Sequence, residues 1–435
     1  MNKLAIIADD LTGASDSGVQ FARKGLVTQV LFDLTGLSGE REVEVIVVDT
    51  DSRALPALDA YQKVQDAAKT LQEMGFNQLY KKIDSTLRGN IGAEIDAIYD
   101  AIKPTFMIIA PGYPKNGRTI YKGYHFLHDT LLHETELSRD PKCPIKESYV
   151  PRLIAKQTDR PIGLIDYQTL RLGFDKVKEQ LDRYRANGIP YIIFDSLSEE
   201  DLQRIVRYVC RINEKVVWVG SAGLANYLPE AEAYRLQKSK KAAMIEPNER
   251  PILLVVGSVS QVSRRQLDRA LSLKNVKGIQ VDSVKLVSDN QSRYEEMEKA
   301  FHQAENWAKQ GYHIALYSSA SPNEIKQVQA IGEANGWSTI EISNFIAQNL
   351  GEISATLINK GYFGAMILTG GDTAKYVCNN IGATGFELLD EVEPGVPIAK
   401  LIHESKMYTV TKAGAFGSEN TFIQAIHQLQ GVDVK

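Results

Sequence analysis

The sequence has few cysteines and no long apolar run. Its three cysteines, Cys143, Cys210 and Cys378, are odd in number and far apart, which argues against a disulfide framework and favours a reducing compartment. No stretch approaches the roughly 20 apolar residues that a membrane span needs. Met1, Asn2 and Lys3 lead into a run of strand type and not into a signal-peptide core. We therefore expect a cytoplasmic protein that does not bind membranes.

An excess of basic residues is also missing. Lys and Arg number 50 against 54 Asp and Glu, which gives a formal net charge of -4. Such a balance offers no electrostatic attraction to nucleic acid, so small molecules are the expected partners. The contents of 43% hydrophobic and 24% charged residues are those of a globular protein, and 435 residues exceed one ordinary core.

Apolar runs alternate with amphipathic segments, which predicts βαβ units. We expect two α/β domains with mostly parallel sheets and a cleft between them: residues 1–230, a charged linker at 231–250, and residues 251–435. The predicted strands of the first domain are 27–32, 43–48, 79–83, 106–110, 162–165, 191–194 and 216–219. Those of the second domain are 252–256, 279–282, 313–317, 339–342, 365–368 and 408–411.

The first strand of the chain ends at two adjacent acids. Residues 4–8 are apolar without alternation, as in a strand covered on both faces, and Asp9 and Asp10 follow directly. Ligands of open α/β sheets bind at the carboxyl ends of strands, which makes both acids candidates for substrate contacts. One of them could instead cap the following helix.

A second polar segment, Lys81 to Asn90, ends another predicted strand of the first domain. It combines cations, an acid and hydroxyl groups, and Arg53 and the turn 115–118 add donors from neighbouring strand ends. Lys and Arg bind carboxylates, while Asp and Ser form hydrogen bonds with hydroxyl groups. This composition predicts a site for a polar, anionic ligand such as a sugar acid.

In the second domain, glycine-containing turns follow three predicted strands: 257–260, 369–374 and 412–418. Glycine lets main-chain amides approach phosphate oxygens, which a helix N-terminus also attracts. The chain has no Walker motif and no Gly-x-Gly-x-x-Gly after a strand, so ordinary P-loop and dinucleotide folds are not supported. We interpret the three turns together as a nucleotide site.

The chain resembles the four-carbon acid sugar kinases. The resemblance rests on residues 8–14, 51–53, 82–89, 110–114, 257–258, 369–374 and 412–414, and it spans nearly the whole sequence. It implies an N-terminal domain that binds a threonate- or erythronate-type acid and a C-terminal domain that binds ATP. The substrate contacts it implies are Asp10, Arg53, Lys82, Ile83, Asp84 and Ser85, to which we add Asp9. The nucleotide contacts it implies are Ser258, Gly370, Gly371, Asp372, Thr373 and Gly414.

Phosphoryl transfer needs a metal on the phosphates, for which we expect magnesium, and a carboxylate that orients the hydroxyl group. We favour Asp372 as this base because it follows a Gly-Gly turn, with Asp84 as the rival. The irregular segment 116–157 is interpreted as a cover over the sugar-acid site, and a metal site among its histidines is the alternative. The metal ligands and the oligomeric state are left open. The competing function is a non-catalytic sugar-acid binder, which would not need the phosphate-binding turns.

Overall fold

The computed structural model describes residues 3–34, 43–140, 143–230 and 245–432. The chain divides into two compact units, Met1–Lys240 and Lys241–Lys435. The predicted linker at 231–250 lies mostly outside the described residues, and the cleft stays a prediction. No helix in the described ranges has the length and apolar character needed to cross a membrane.

The first unit contains a parallel sheet with the strand order β2-β3-β1-β4-β11-β5-β10-β9. All predicted strands of this domain are confirmed within one or two residues. The strands are β1 (Leu4–Ala8), β2 (Thr28–Leu31), β3 (Val45–Asp49), β4 (Gln78–Lys82), β5 (Phe106–Ala110), β9 (Ile162–Ile165), β10 (Tyr191–Phe194) and β11 (Val216–Gly220).

Helices connect these strands, as the amphipathic segments predict. They are α1 (Leu11–Ala22), α2 (Ala57–Glu73), α3 (Ile91–Ile102), α4 (Val150–Ala155), α5 (Tyr167–Arg171), α6 (Phe174–Ala186), α7 (Glu199–Arg211) and α8 (Ala222–Ala225). Every residue of β1, β3 and β5 is buried, which explains why these runs show no alternation of polar and apolar residues.

The registers of the central strands bring their carboxyl ends together. Ala8 at the end of β1 is paired with Asp49 of β3 on one side and with Lys82 of β4 on the other. The loops that follow these strands therefore begin side by side, and the polar segments predicted from the sequence share one edge of the sheet.

A small antiparallel sheet is inserted between β5 and α4. It contains β6 (Arg118–Tyr121), β7 (Tyr124–Leu127) and β8 (Thr130–Leu131), in that order. The turn between β6 and β7 has a positive φ at both central residues, Lys122 (51°) and Gly123 (77°), which matches the twist of a two-residue hairpin. The sequence analysis did not predict these strands.

The second unit has the strand order β13-β14-β12-β15-β18-β17-β16. The strands are β12 (Ile252–Val256), β13 (Val276–Val281), β14 (His313–Ser318), β15 (Ala365–Thr369), β16 (Gly385–Glu393), β17 (Val396–Ile402) and β18 (Tyr408–Lys412). The strands from β13 to β18 in this order pair in parallel, whereas β17 pairs antiparallel with both β16 and β18. The hairpin of β16 and β17 was not predicted.

The helices of this unit are α9 (Gln261–Leu271), α10 (Ser283–Ser288), α11 (Asn290–Lys309), α12 (Pro322–Ala334), α13 (Thr339–Asn359), α14 (Gly371–Asn380) and α15 (Thr421–Leu429). The strand predicted at 339–342 is wrong, because these residues form the first turn of α13. A capping box causes the difference: the Ser338 hydroxyl accepts from the Glu341 N–H, and the Glu341 carboxylate accepts from the Ser338 N–H.

Candidate functional site

In the first unit, Arg53 joins the two acids that follow β1. Its Nε and Nη2 donate to Asp9 at 2.8 and 2.9 Å, and its Nη1 and Nη2 donate to Asp10 at 2.7 Å each. Asp10 Oδ1 also accepts from the Gly13 N–H at 2.9 Å and so caps α1. The two adjacent carboxylates tolerate each other because one guanidinium group binds both.

Asp84 lies on the other side of Arg53 in a second cluster of charges. Arg88 Nε donates to Asp84 Oδ2 at 2.7 Å, the Thr86 hydroxyl donates to the same oxygen, and an Arg53 nitrogen is 4.0 Å from Oδ1. Burial alone would raise the pKa of Asp84, but Arg88 and Arg53 reverse this effect and hold the pKa well below its usual range. Asp84 is therefore a firmly ionised carboxylate.

The two lysines at the end of β4 differ in their surroundings. Lys81 is fully buried, and its Nζ lies 2.6 Å from Glu94 of α3. Lys82 is 3% exposed, and its Nζ lies 2.6 Å from the position that a Cβ on Gly13 would occupy. Among the described residues, the Lys82 ammonium group has no hydrogen bond and no ion pair, so its donors are available to an anion.

The sequence analysis missed a bracing network under this site, formed by Lys81, Glu94 and Ser52. Lys81 Nζ also donates to the main-chain oxygens of Ile7 and Lys82 at 3.3 and 2.9 Å. The Ser52 hydroxyl donates to Glu94 Oε1 at 2.6 Å. The bracing network thus ties together the ends of β1 and β4 and the residue before Arg53. A Lys at the end of β4 and a Glu in the first turn of the next helix, α3, are the sequence signal for it.

Ile83 and Ser85 complete the residues implied for the substrate. The Ile83 N–H donates to the Gly220 oxygen at 2.9 Å, and its side chain is buried, whereas Ser85 is half-buried. The structure therefore brings Asp9, Asp10, Arg53, Lys82, Ile83, Asp84 and Ser85 to one edge of the sheet. Their roles in binding stay a prediction.

The segment predicted as a cover lies beside this edge. Arg88 Nη1 donates to Asp140 at 3.1 Å, and the Cys143 thiol donates to the Arg53 oxygen at 3.4 Å. A cavity of about 300 Å³ lies between the segment and the Arg53 and Gly89 loops, and its lining includes residues 143–147, Leu153, Lys156 and Gln157.

The histidines of this segment do not form a metal centre with each other. His125 is fully buried, which lowers its pKa to about 3, and the His133 ring lies 2.7 Å from the Ser148 hydroxyl. His128 is exposed. In the described parts of the chain, no three His, Cys, Asp or Glu side chains are grouped as metal ligands.

In the second unit, three turns meet at the carboxyl ends of β12, β15 and β18, and we call them the triple turn (257–260, 370–373 and 413–417). Val256 pairs with Thr369 and Thr369 with Lys412, so the turns begin at the same level. The Ser260 hydroxyl donates to the Gly414 oxygen at 2.9 Å. The sequence-predicted residues Ser258, Gly370, Gly371, Thr373 and Gly414 are thus brought together.

Two of these glycines are required by close packing within the triple turn. A Cβ on Gly257 would fall on Thr373 Oγ1, and a Cβ on Gly414 would fall on Ser258 Oγ. Gly370 has φ 98°, which a residue with a side chain rarely adopts, and it precedes α14. Asp372 lies in the first turn of α14 and is half-buried.

A further residue, Lys412, lies under the triple turn and was not assigned a role from the sequence. It is 1% exposed, and its Nζ donates to Ser263 Oγ, Thr369 Oγ1 and the Gly414 oxygen at 3.2, 3.3 and 3.2 Å. Burial lowers its pKa to about 7, and Glu393 opposes this shift.

Comparison with known protein families finds one match in each of the two structural units. Residues 4–228 match the model of a sugar-binding N-terminal domain. Residues 253–422 match that of a nucleotide-binding C-terminal domain. The Arg53 site lies within the first match and the triple turn within the second.

Curated relatives are similar over nearly their whole length. A D-threonate kinase from Salmonella typhimurium is 34% identical, with 98% of each chain covered. A D-erythronate kinase from Heliobacterium modesticaldum is 30% identical, with 99% of this chain and 97% of the relative covered. A 3-oxo-tetronate kinase from Burkholderia multivorans is 30% identical, with coverages of 98% and 97%.

Solved structures share the fold. A Salmonella typhimurium LT2 protein described as a tRNA synthase has a TM-score of 0.81 and 28% identity, with 98% of this chain and 99% of that chain covered. A Haemophilus influenzae protein has a TM-score of 0.76 and 26% identity, with coverages of 98% and 100%. By its two domain matches and its full-length relatives, the chain belongs to the four-carbon acid sugar kinase family.

Proposed function

We propose that the protein transfers the γ-phosphoryl group of ATP to the terminal hydroxyl group of a four-carbon sugar acid of threonate or erythronate type, giving the 4-phosphate. Relatives at 30–34% identity carry the names D-threonate, D-erythronate and 3-oxo-tetronate kinase, which supports this substrate class. The triple turn is the observation that carries the proposal, because a non-catalytic sugar-acid binder would not need it.

In the first unit, Lys82 is proposed to hold the substrate carboxylate. Its ammonium group is buried and has vacant donors, and a charge-assisted hydrogen bond in such a place is strong. Arg53 contributes by fixing Asp9 and Asp10, since four of its N–H···O contacts go to these acids. Asp10 and Asp84 offer acceptors for the hydroxyl groups of the acid.

In the second unit, the amides of the triple turn are proposed to bind the phosphates of ATP. The turns pack closely because Gly257 and Gly414 carry no Cβ that would fall on the hydroxyl groups of Thr373 and Ser258, and α9 and α14 begin beside them. Magnesium, when bound, neutralises charge on the phosphates, and it typically keeps one or two carboxylate ligands. Asp372, the carboxylate of the triple turn, would serve as such a ligand only if it does not act as the base.

We propose Asp372 and not Asp84 as the group that orients the attacking hydroxyl. A general base works best when its pKa lies near the working pH. Arg88 and Arg53 keep the pKa of Asp84 well below its usual range, so Asp84 is a poor proton acceptor. We therefore assign Asp84 to binding and Asp372 to the reaction.

The direct test follows ADP release by the purified protein with ATP, magnesium and a panel of four-carbon acids: D-threonate, D-erythronate, their L-isomers and 3-oxo-tetronate. Phosphorus NMR of the product then locates the new phosphomonoester. A kinase releases ADP with one or more of these acids, and the NMR spectrum shows a phosphate on the terminal carbon. Binding of an acid without ADP release would support the sensor function and contradict the proposal.

Two substitutions separate the roles of the carboxylates. Asp372→Asn should lower turnover roughly 10²- to 10⁴-fold while both substrates still bind. Asp84→Asn should mainly raise the Michaelis constant for the acid. Asp268→Asn, which changes an exposed carboxylate of α9, is the matched control and should alter neither. The assignments must be exchanged if the Asp84 variant binds both ligands but does not turn over. Loss of nucleotide binding in the Asp372 variant would make Asp372 a metal ligand and not the base.

A further inference from the structure

Lys412 is a buried lysine, and its contacts with the described residues are all to uncharged groups. Its Nζ is surrounded by two hydroxyl oxygens and one main-chain oxygen, from Ser263, Thr369 and Gly414. Within the described ranges, no carboxylate lies at ion-pair distance from it. A buried ammonium group without a counter-charge is costly, so it either releases its proton or waits for an anion.

The surroundings of Lys412 can be followed element by element. α9 presents the Ser263 hydroxyl, β15 presents the Thr369 hydroxyl, and α15 presents the Phe422 ring, whose centroid is 5.4 Å from Nζ. Of the described residues, Glu393 of β16 is the charged group that acts on Lys412. Its carboxylate accepts hydrogen bonds from Ser418 and from Thr421, the latter at 2.8 Å, and is therefore held by α15 and the loop before it.

Lys412 is connected to the triple turn by hydrogen bonds. The Gly414 oxygen that accepts from Lys412 also accepts from Ser260 and Ser263, at 2.9 and 2.8 Å. Lys412 thus holds the third turn against the first, and Thr369 ends the strand that leads into the second. A positive charge at this point lies directly beneath all three turns.

We infer that Lys412 is a positioning residue of the nucleotide site and that the phosphates of a bound nucleotide provide the counter-charge that its ammonium group lacks. Binding of ADP or ATP would then be coupled to uptake of a proton by Lys412. The inference rests on the proposed nucleotide binding by this unit, and it adds a charge-coupling role that the sugar-acid site does not share.

Whether nucleotide binding takes up or releases a proton follows from the charge of Lys412 in the free protein. Because the pKa of Lys412 is about 7, the group is mostly neutral at about pH 8 and mostly charged at about pH 6. An anion nearby favours the charged form, so binding at the higher pH must take up a proton. At the lower pH the proton is already present.

Calorimetry of ADP binding with magnesium, carried out in two buffers of different ionisation enthalpy, measures this proton directly. We expect uptake of about 0.5–0.9 proton per ADP at about pH 8 and close to none at about pH 6. Free ADP has no phosphate proton left at the higher pH, so the uptake reports on the protein. A merely structural lysine would give no such uptake.

Two variants assign the proton to Lys412. Lys412→Arg keeps the charge but cannot lose it, so ADP should still bind while the uptake disappears. Lys412→Met removes the charge, and ADP affinity should fall about ten- to hundredfold with no uptake. If the Met variant does not fold, the wild-type and Arg measurements still decide the question.

The possible failures are distinct. Absence of ADP binding by the wild-type protein would overturn both the proposed function and this inference. ADP binding without proton uptake at the higher pH would overturn the inference alone. Uptake that persists in the Arg variant would also overturn it, because the proton would then belong to another group.

Discussion

The buried ion pair of Lys81 and Glu94 provides the sharpest prediction for the first unit. Substituting Glu94→Gln keeps the size of the side chain and an oxygen for the Ser52 hydroxyl, but removes the charge that faces Lys81 at 2.6 Å. The Lys81 side chain has no contact with solvent, so water cannot compensate its charge when the Glu94 charge is removed. We expect the sheet edge that holds Arg53 and Lys82 to lose stability.

The expected loss of stability in Glu94→Gln follows from the burial of the ion pair. Removing one partner of a buried ion pair typically costs about 3–5 kcal/mol, because the remaining charge is left without compensation. Replacing both partners, as in Lys81→Met with Glu94→Gln, removes that charge as well. The double variant still loses the donors to Ile7 and Lys82, at about 1–3 kcal/mol. It should therefore be more stable than Glu94→Gln alone.

Urea unfolding followed by the emission of Trp218 measures this effect in the first unit. Trp218 is 1% exposed and is paired with Tyr80 in the neighbouring strand β4. Trp307 and Trp337 belong to the second unit and should be replaced by Phe in all variants. A rise in the Michaelis constant for the sugar acid, with ADP affinity unchanged, would show that the bracing network also positions the site.

An exposed ion pair supplies the matched control. Lys176 and Glu179 of α6 are 2.8 Å apart, with side chains 58% and 53% exposed, so Glu179→Gln should change stability by less than about 1 kcal/mol. The reasoning is refuted if Glu94→Gln is as mild as this control. It is also refuted if the double variant is less stable than Glu94→Gln.

Three further predictions concern the other charged and glycine positions. Arg53→Lys keeps the charge but has three donors on one nitrogen and cannot reproduce the four contacts of the guanidinium group to Asp9 and Asp10, so the Michaelis constant for the sugar acid should rise about ten- to hundredfold while ADP affinity is unchanged; an unaltered constant would remove Arg53 from the site. Gly257→Ala places a Cβ on Thr373 and should weaken ADP binding in calorimetry, whereas Gly336→Ala, at φ 77° with open space around it, should reduce stability alone; equal ADP affinity in both variants would make the turn purely structural. The pKa of Lys412 is about 7 in the folded protein and near its usual value of 10.5 when unfolded, so the unfolded chain binds more protons between these values and stability should rise with pH across that window. Urea midpoints of the second unit should show this rise in the wild type and not in Lys412→Met, and equal slopes would contradict it.

The fold could be predicted where strands are fully buried and could not be predicted where local signals compete. Residues 252–256 and 106–110 are apolar throughout and were located without error. Residues 339–342 alternate like a strand, yet the capping box of Ser338 and Glu341 makes them a helix start. The hairpin of β16 and β17 has mixed burial along its length, so neither period stands out.

The sequence predicted that the candidate residues lie together at one edge of the sheet, but it did not predict how they pair with each other. The strand ends identified Asp10, Arg53 and Lys82 because parallel strands place their carboxyl ends together. That Arg53 binds both acids depends on a contact between residues more than 40 positions apart, which a single sequence does not encode locally. The different surroundings of Lys81 and Lys82 could not be predicted, because β4 is covered on both faces and alternation does not mark either lysine as exposed.

The placement of β11 has a consequence for how the first unit is made. This strand, at residues 216–220, lies between β4 and β5, and the Gly220 oxygen accepts from the Ile83 N–H at 2.9 Å. During synthesis, β4 and β5 therefore have no common neighbour until more than 100 further residues have been added. Over this interval the edges of β4 and β5 that later pair with β11 lack this partner, and unpaired strand edges are prone to aggregation. We therefore expect the first unit to complete its sheet only after residue 220 has left the ribosome.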